Sequence, residues 1–124
     1  MRIYKTRPFA RWARQEGLRD SALAAAAAEI QAGLIDAELG GHVVKKRVAL
    51  PGRGKRSGAR TLLAYQRDDR FFFLYGFAKN EKDNIDEREL QALKRLSGIL
   101  LGWEPAQLRL AVAAGRLIEV NNDG

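Results

Sequence analysis

The run from Arg70 to Ala78, with Phe71-Phe72-Phe73-Leu74-Tyr75 at its heart, constrains this chain more than any other stretch. It is too apolar for the edge of a sheet, so it reads as a central strand. Side chains alternate between sheet faces, so most of Phe71, Phe72, Phe73 and Phe77 must be core. Tyr75 could stack on a base, but the apolar run around it favours burial. Trp12 and Trp103 read as packing residues on or beside helices. A chain of 124 residues with 46% hydrophobic content can build one ordinary core without metal or disulfide staples.

Around that strand the pattern predicts an α+β domain on a small, mainly antiparallel twisted sheet. Ile3-Tyr4-Lys5-Thr6 predicts a first strand. Pro8 suits the first turn of a helix with Phe9, Trp12 and Ala13 on one face, which Gly17 stops. Asp20 or Ser21 is expected to cap a second helix with Leu23, Ala27, Ile30 and Leu34 as its buried stripe and Gly33 at its end. After the Gly40-Gly41 break, residues 43–50 predict a strand with Val44, Val48 and Leu50 on one face and Lys46 interrupting it. Lys45 and Arg47 then lie on the other face, towards solvent. Residues 60–65 predict the next strand, joined through an Asp68-Asp69 turn to the Arg70 strand. Asp86 and Glu89 form a capping box for a third helix, with Ile85 stapled onto Leu90. Its stripe is Leu90, Leu93, Ser97, Leu100 and Leu101. Pro105 opens a short fourth helix with Leu108, Ala111 and Val112 inward, ending near Gly115. Leu117 to Val120 predicts a last strand. The expected order is β-α-α-β-β-β-α-α-β, within one domain spanning residues 1–124.

The net charge of +7 is unevenly placed. Residues 1–60 hold 13 basic and 5 acidic side chains, whereas residues 61–124 hold 9 and 10. Between Lys45 and Arg60 there are seven cations and no acid: Lys45, Lys46, Arg47, Arg53, Lys55, Arg56 and Arg60. They bracket the loop Pro51-Gly52-Arg53-Gly54-Lys55-Arg56-Ser57-Gly58. Glycine lets backbone approach a phosphate closely, and the guanidinium and ammonium groups supply charge. The expected partner is a polyanion, with nucleic acid first.

Other chemistries find little support. The chain has no cysteine, which excludes disulfides and thiolate sites and suits a reducing cytoplasm. The single histidine, His42, cannot build a usual zinc site, and the acidic residues from Glu81 to Glu89 lack a calcium-loop pattern. No metal and no cofactor are expected. Ser57 has only His42 as a conceivable imidazole partner, so a triad is not expected. Gly52-x-Gly54 matches neither a dinucleotide fingerprint nor a nucleotide-binding P-loop. No apolar stretch reaches membrane-spanning length, and Met1 to Lys5 lacks the apolar core of a signal peptide. A cytoplasmic protein without membrane contact is expected.

The basic group remains. Lys45 and Arg47 project from one strand, Arg53, Lys55 and Arg56 from the loop, Arg60 opens the next strand and Lys79 ends the central one. Neighbouring strands lie about 4.8 Å apart, so these cations would converge on one groove. Such a groove holds a phosphate backbone and stabilises the extra charge of a phosphorane. RNA brings its own 2′-OH nucleophile, and a lysine desolvated among cations can act as base. A passive phosphate-binding surface is the other reading of the same residues.

Arg53-Gly54-Lys55-Arg56-Ser57-Gly58-Ala59-Arg60, followed by an apolar strand and then Phe73-Leu74-Tyr75-Gly76-Phe77-Ala78-Lys79-Asn80-Glu81-Lys82-Asp83-Asn84-Ile85, resembles the toxins of the RelE/ParE superfamily. The similarity is greatest to the RelE/HigB-type branch of bacterial type II toxin–antitoxin systems. It covers residues 1–102 well, and the tail through Val120 also looks like members of that branch. The resemblance implies a RelE-like fold and a metal-independent endoribonuclease that cuts mRNA, often on the ribosome, through attack of the 2′-OH on the adjacent phosphate. It implies Arg60 as the strand-opening arginine that stabilises the transition state. Arg53 and Lys55 fall near the family's lysines once a gap is allowed, and Lys79 and Lys82 near its C-terminal basic positions. The expected catalytic set is thus Arg53, Lys55, Arg60 and Lys79, with Lys45, Arg47, Arg56 and Lys82 holding RNA. One departure stands out: RelE proper has a tyrosine close to where this chain has Ile85-Asp86, and no tyrosine follows Tyr75 here.

The implied partners are a cognate antitoxin, mRNA and the ribosome. The chain has no recognisable helix-turn-helix, so operator binding would depend on the antitoxin. Two other readings fit the same superfamily: a ParE-like toxin that inhibits gyrase by protein contact, and a non-catalytic RNA-binding or decayed toxin.

Overall fold

The computed structural model describes residues 1–52, 58–66, 69–78 and 85–121. Strand β1, Arg2–Thr6, runs straight into helix α1, Arg7–Glu16. The Thr6 hydroxyl accepts the Phe9 N–H at 3.3 Å and Pro8 sits in the first turn, both favourable helix starts. Gly17, at φ +72°, closes the helix in the left-handed region that glycine enters without steric cost. Helix α2 is Asp20–Gln31. Strands β2 (Ala37–Gly40), β3 (Val43–Val48), β4 (Ala59–Gln66) and β5 (Arg70–Ala78) follow. Helix α3, Glu87–Leu101, starts where the Asp86 carboxylate accepts the Glu89 N–H at 2.8 Å. Helix α4, Pro105–Ala113, and strand β6, Leu117–Glu119, complete the chain.

The six strands form one open sheet in the order β2-β3-β4-β5-β1-β6. Among the described residues only the β1–β5 pair is parallel. As its composition requires, β5 is central, with Phe71, Phe72 and Phe73 wholly buried. Helices α1 and α2 cover one face, packing Phe9, Ala13, Leu23, Ala27 and Ile30 against Val44, Val48, Leu63, Phe71 and Phe73. Helices α3 and α4 cover the other, where Leu100, Leu108 and Ala111 meet Tyr4, Ala64, Phe72 and Leu74. The sheet thus lies between two helical layers, an α+β arrangement.

A break in the β4–β5 ladder decides which side chains β5 turns to each helical layer. Leu62 pairs with Tyr75 and Leu63 with Phe73, which leaves Leu74 as the extra residue of a β-bulge. The bulge resets alternation in β5. Tyr75 and Phe77 therefore share the face of Phe72 and Leu74, and Gly76 turns towards α1. There the Trp12 ring lies so close that a Cβ on Gly76 would stand 2.2 Å from it.

Several expectations need correction. The second helix starts one residue early: Arg19 is its N-cap, without a side-chain bond, and Asp20 lies in the first turn. There the Asp20 carboxylate accepts from Lys5 Nζ at 2.7 Å and from the Asn121 N–H at 3.1 Å, joining α2 to β1 and to the chain beyond β6. Leu34 is not part of the buried stripe. The helix ends at Gln31, the chain turns through Gly33 at φ +91°, and Leu34 is 59% exposed. Strand β2 was not expected, so the described residues form seven elements before α3 rather than six.

Candidate nucleic-acid interface

Register assembles the described part of the candidate site. Lys45 stands opposite Leu62, which stands opposite Tyr75; Arg47 stands opposite Arg60, which stands opposite Phe77. Paired residues share a face, so two rows of side chains cross three strands on the α3 side of the sheet. Lys45, Arg60 and Tyr75 are half-buried, Arg47 is exposed and Phe77 is buried. The rows sit at the end of β3 and the start of β4, the two strands joined by the basic loop. Arg53, Lys55 and Arg56 of that loop, and Lys79 and Lys82 beyond β5, lie outside the described residues, as do Ser57 and Asp68.

The three consecutive cations of β3 meet different fates. Lys46 points away from the rows, into the layer under α2. Its ammonium is 2.7 Å from Glu29 Oε1 and donates to the Leu34 carbonyl at 2.9 Å. The expected interruption of the apolar face is therefore a nearly buried lysine held by a helix carboxylate, with Lys46 only 5% exposed. Arg47 is drawn outwards to Asp36, just before β2: Asp36 Oδ1 accepts from Nε at 2.9 Å and Oδ2 from the Arg47 backbone N–H at 2.6 Å. Burial raises the Asp36 carboxyl, but the two bonds from Arg47 and the charges of Arg47 and Lys46 outweigh it, leaving the group below its ordinary range. Lys45 stays on the face of Arg60.

Two contributors escaped sequence reasoning. Asp36 gave no local signal that it would bond Arg47. Tyr75 was expected to be buried with its neighbours, yet it is half-buried beside Leu62, on the face of Lys45 and Arg60. Its ring centroid is 6.1 Å from that of Phe77. The bulge at Leu74 placed it there, and no composition pattern marks that bulge. A face with two or three cations and one accessible aromatic can hold phosphate by charge and a base by stacking.

This architecture, a mostly antiparallel open sheet with two helices ahead of the meander and two behind it, is the α+β arrangement of RelE-like toxins. The family model described as the RelE toxin of the RelE / RelB toxin-antitoxin system matches residues 1–120, and the chain belongs to that family. No curated protein matches the sequence at a significant level. The chain is thus a toxin of a toxin–antitoxin system, and the family implies a cognate antitoxin as partner. Among the described residues, no helix is long and apolar enough to cross a membrane.

Proposed function

We propose that this toxin is a metal-independent endoribonuclease that cuts mRNA in the cytoplasm, in association with the ribosome, and that residues 1–124 act as one domain. The carrying observation is the register that sets Arg60 beside Arg47 and one row from Lys45 on a single sheet face. The family match supports the same reading, because RelE toxins are generally ribosome-dependent endoribonucleases.

In this mechanism the ribose 2′-oxygen attacks the adjacent phosphorus, the bond to the 5′-oxygen breaks, and a 2′,3′-cyclic phosphate and a 5′-hydroxyl result. Arg60 stabilises the charge that builds on the phosphorane oxygens. Arg53, Lys55 and Lys79 complete the catalytic set. Lys45, Arg47, Arg56 and Lys82 hold the flanking phosphates. Tyr75 offers a ring on which a neighbouring base stacks.

The test is Arg60→Ala. Loss of one preorganised donor lowers catalytic rate by roughly 10²–10³. Primer extension after induction, together with end-group analysis of the cut RNA, reads the effect, and circular dichroism checks the fold. Cleavage by the variant at the wild-type rate refutes the assignment of Arg60. Growth arrest with intact mRNA and falling DNA supercoiling replaces the ribonuclease reading with gyrase inhibition.

A further inference from the structure

Helix α1 carries Arg7, Arg11 and Arg14 at a spacing of four and then three residues. At 3.6 residues per turn they fall within about 60° of arc and rise roughly 6 Å and then 4.5 Å along the axis. All three are exposed, while Phe9 and Ala13 on the opposite side are buried against the sheet. No acid among the described residues pairs with these arginines. The helix starts over Phe73, which Phe9 contacts, and advances to Gly76 under Trp12. Its end, Gly17, reaches Pro51, the first residue of the basic loop. The row of arginines therefore runs along the sheet towards the end that bears Arg60, but on the opposite face.

We propose that the outer face of α1 is a second RNA-binding surface, one that grips the phosphate backbone of a double-helical segment while the groove at Arg60 takes the strand to be cut. Three features favour this partner. Arginine forks suit phosphate oxygens. No exposed aromatic accompanies them, since Trp12 is packed over Gly76 and against Phe9, so the face reads backbone and offers unpaired bases no stacking platform. No large apolar side chain is exposed on the helix to enter a membrane. The choice of RNA rests on the ribonuclease reading, whereas the polyanion contact does not.

The test measures fluorescence anisotropy of a labelled, fully 2′-O-methylated RNA hairpin, which cannot be cut by attack of its own 2′ oxygens. The full-length protein is compared with the triple variant Arg7→Gln/Arg11→Gln/Arg14→Gln and with a control, Arg88→Gln/Arg95→Gln/Arg109→Gln, which removes three exposed arginines from α3 and α4. The α1 variant is expected to bind about tenfold more weakly, with the slope of log K against log salt shallower by about 2; the control stays near wild type. Equal losses in both variants, or no loss in either, overturn the proposal. So does α1-dependent capture by phosphatidylserine vesicles with hairpin binding unchanged. Cutting of mRNA on programmed ribosomes is measured in parallel by primer extension: its absence in the wild type removes the ribonuclease reading and leaves the anisotropy result standing.

Discussion

Replacing Gly76 with alanine tests how closely α1 is seated on the sheet. The added Cβ would stand 2.2, 2.5 and 2.6 Å from Cζ3, Cε3 and Cη2 of Trp12, where ordinary contact begins near 3.4 Å. The indole must retreat by more than 1 Å across its width, and it is a rigid ring wedged against Phe9, which itself packs on Phe73. Overpacking of this kind costs about 1–3 kcal/mol. Alanine in a strand is otherwise better than glycine by about 0.5–1 kcal/mol, because less backbone freedom is lost on folding. The net loss in urea denaturation is then up to about 2.5 kcal/mol, centred on about 1. A Trp12→Ala background removes the obstacle, so there the same substitution should become neutral or stabilising. This change of sign is the diagnostic result. If Gly76→Ala costs the same with and without the indole, the close approach is not what selects glycine at this position.

Asp36→Asn removes a surface clamp from Arg47 and should cost about 0.5–1 kcal/mol, discounted because the Arg47 side chain is 46% exposed. RNA affinity should rise, since an acid disappears and a cation is released; a fall in affinity refutes the competition. Acid should unfold the wild type partly through Asp36 and Asp20. In each, burial raises the carboxyl but cationic and N–H partners lower it further, to below the ordinary 3.8. A depressed folded value means stability that is present above the unfolded value and lost as pH falls through the folded one. Urea midpoints should therefore drop below about pH 4, and less so in Asp36→Asn; identical acid profiles would dismiss the group. Lys46→Met keeps the aliphatic stem but forfeits Glu29 and the Leu34 carbonyl, at about 1–3 kcal/mol, and Lys46→Ala should cost more because it also leaves a cavity. The reverse order in chemical denaturation would contradict this account.

Features that act over a few residues were legible in the sequence. Gly17 stops α1, Asp86 caps α3, Pro105 opens α4 and Phe71 to Phe73 lie at the centre of the sheet, each for a reason contained in its own neighbourhood. Strand β2 had no such signature. Ala37-Glu38-Leu39-Gly40 is short and without β-branched residues, and it extends because the edge of β3 offers it a ladder. Leu34 continued the helical period past the point where the chain had already turned. Lys46 was correctly placed on the buried face, but its partner, Glu29, is supplied by another element seventeen positions earlier. Counting charge alone treated Lys45, Lys46 and Arg47 as equivalent. Alternation sends Lys46 through the sheet to an acid and leaves the other two together, and Asp36 then claims one of those.

The bulge at Leu74 shows how one extra residue sets the content of a site that charge could only locate. With strict alternation along β5, Tyr75 and Phe77 would follow Phe71 and Phe73 to the α1 side, and Gly76 would face Arg60's row. The α1 side has no room for that arrangement, because Trp12 already occupies the space above position 76. Shifting the phase by one residue places the strand's sole glycine under the indole and brings Tyr75 and Phe77 alongside Lys45, Leu62 and Arg60. Close seating of α1 and an aromatic beside the cations are thus two results of one backbone irregularity. Deleting Leu74 takes out the extra residue yet leaves Phe73 opposite Leu63 and Tyr75 opposite Leu62. Gly76 should then stay under Trp12 and Tyr75 beside Lys45. What both features require is the phase of the strand after position 74, which that deletion keeps.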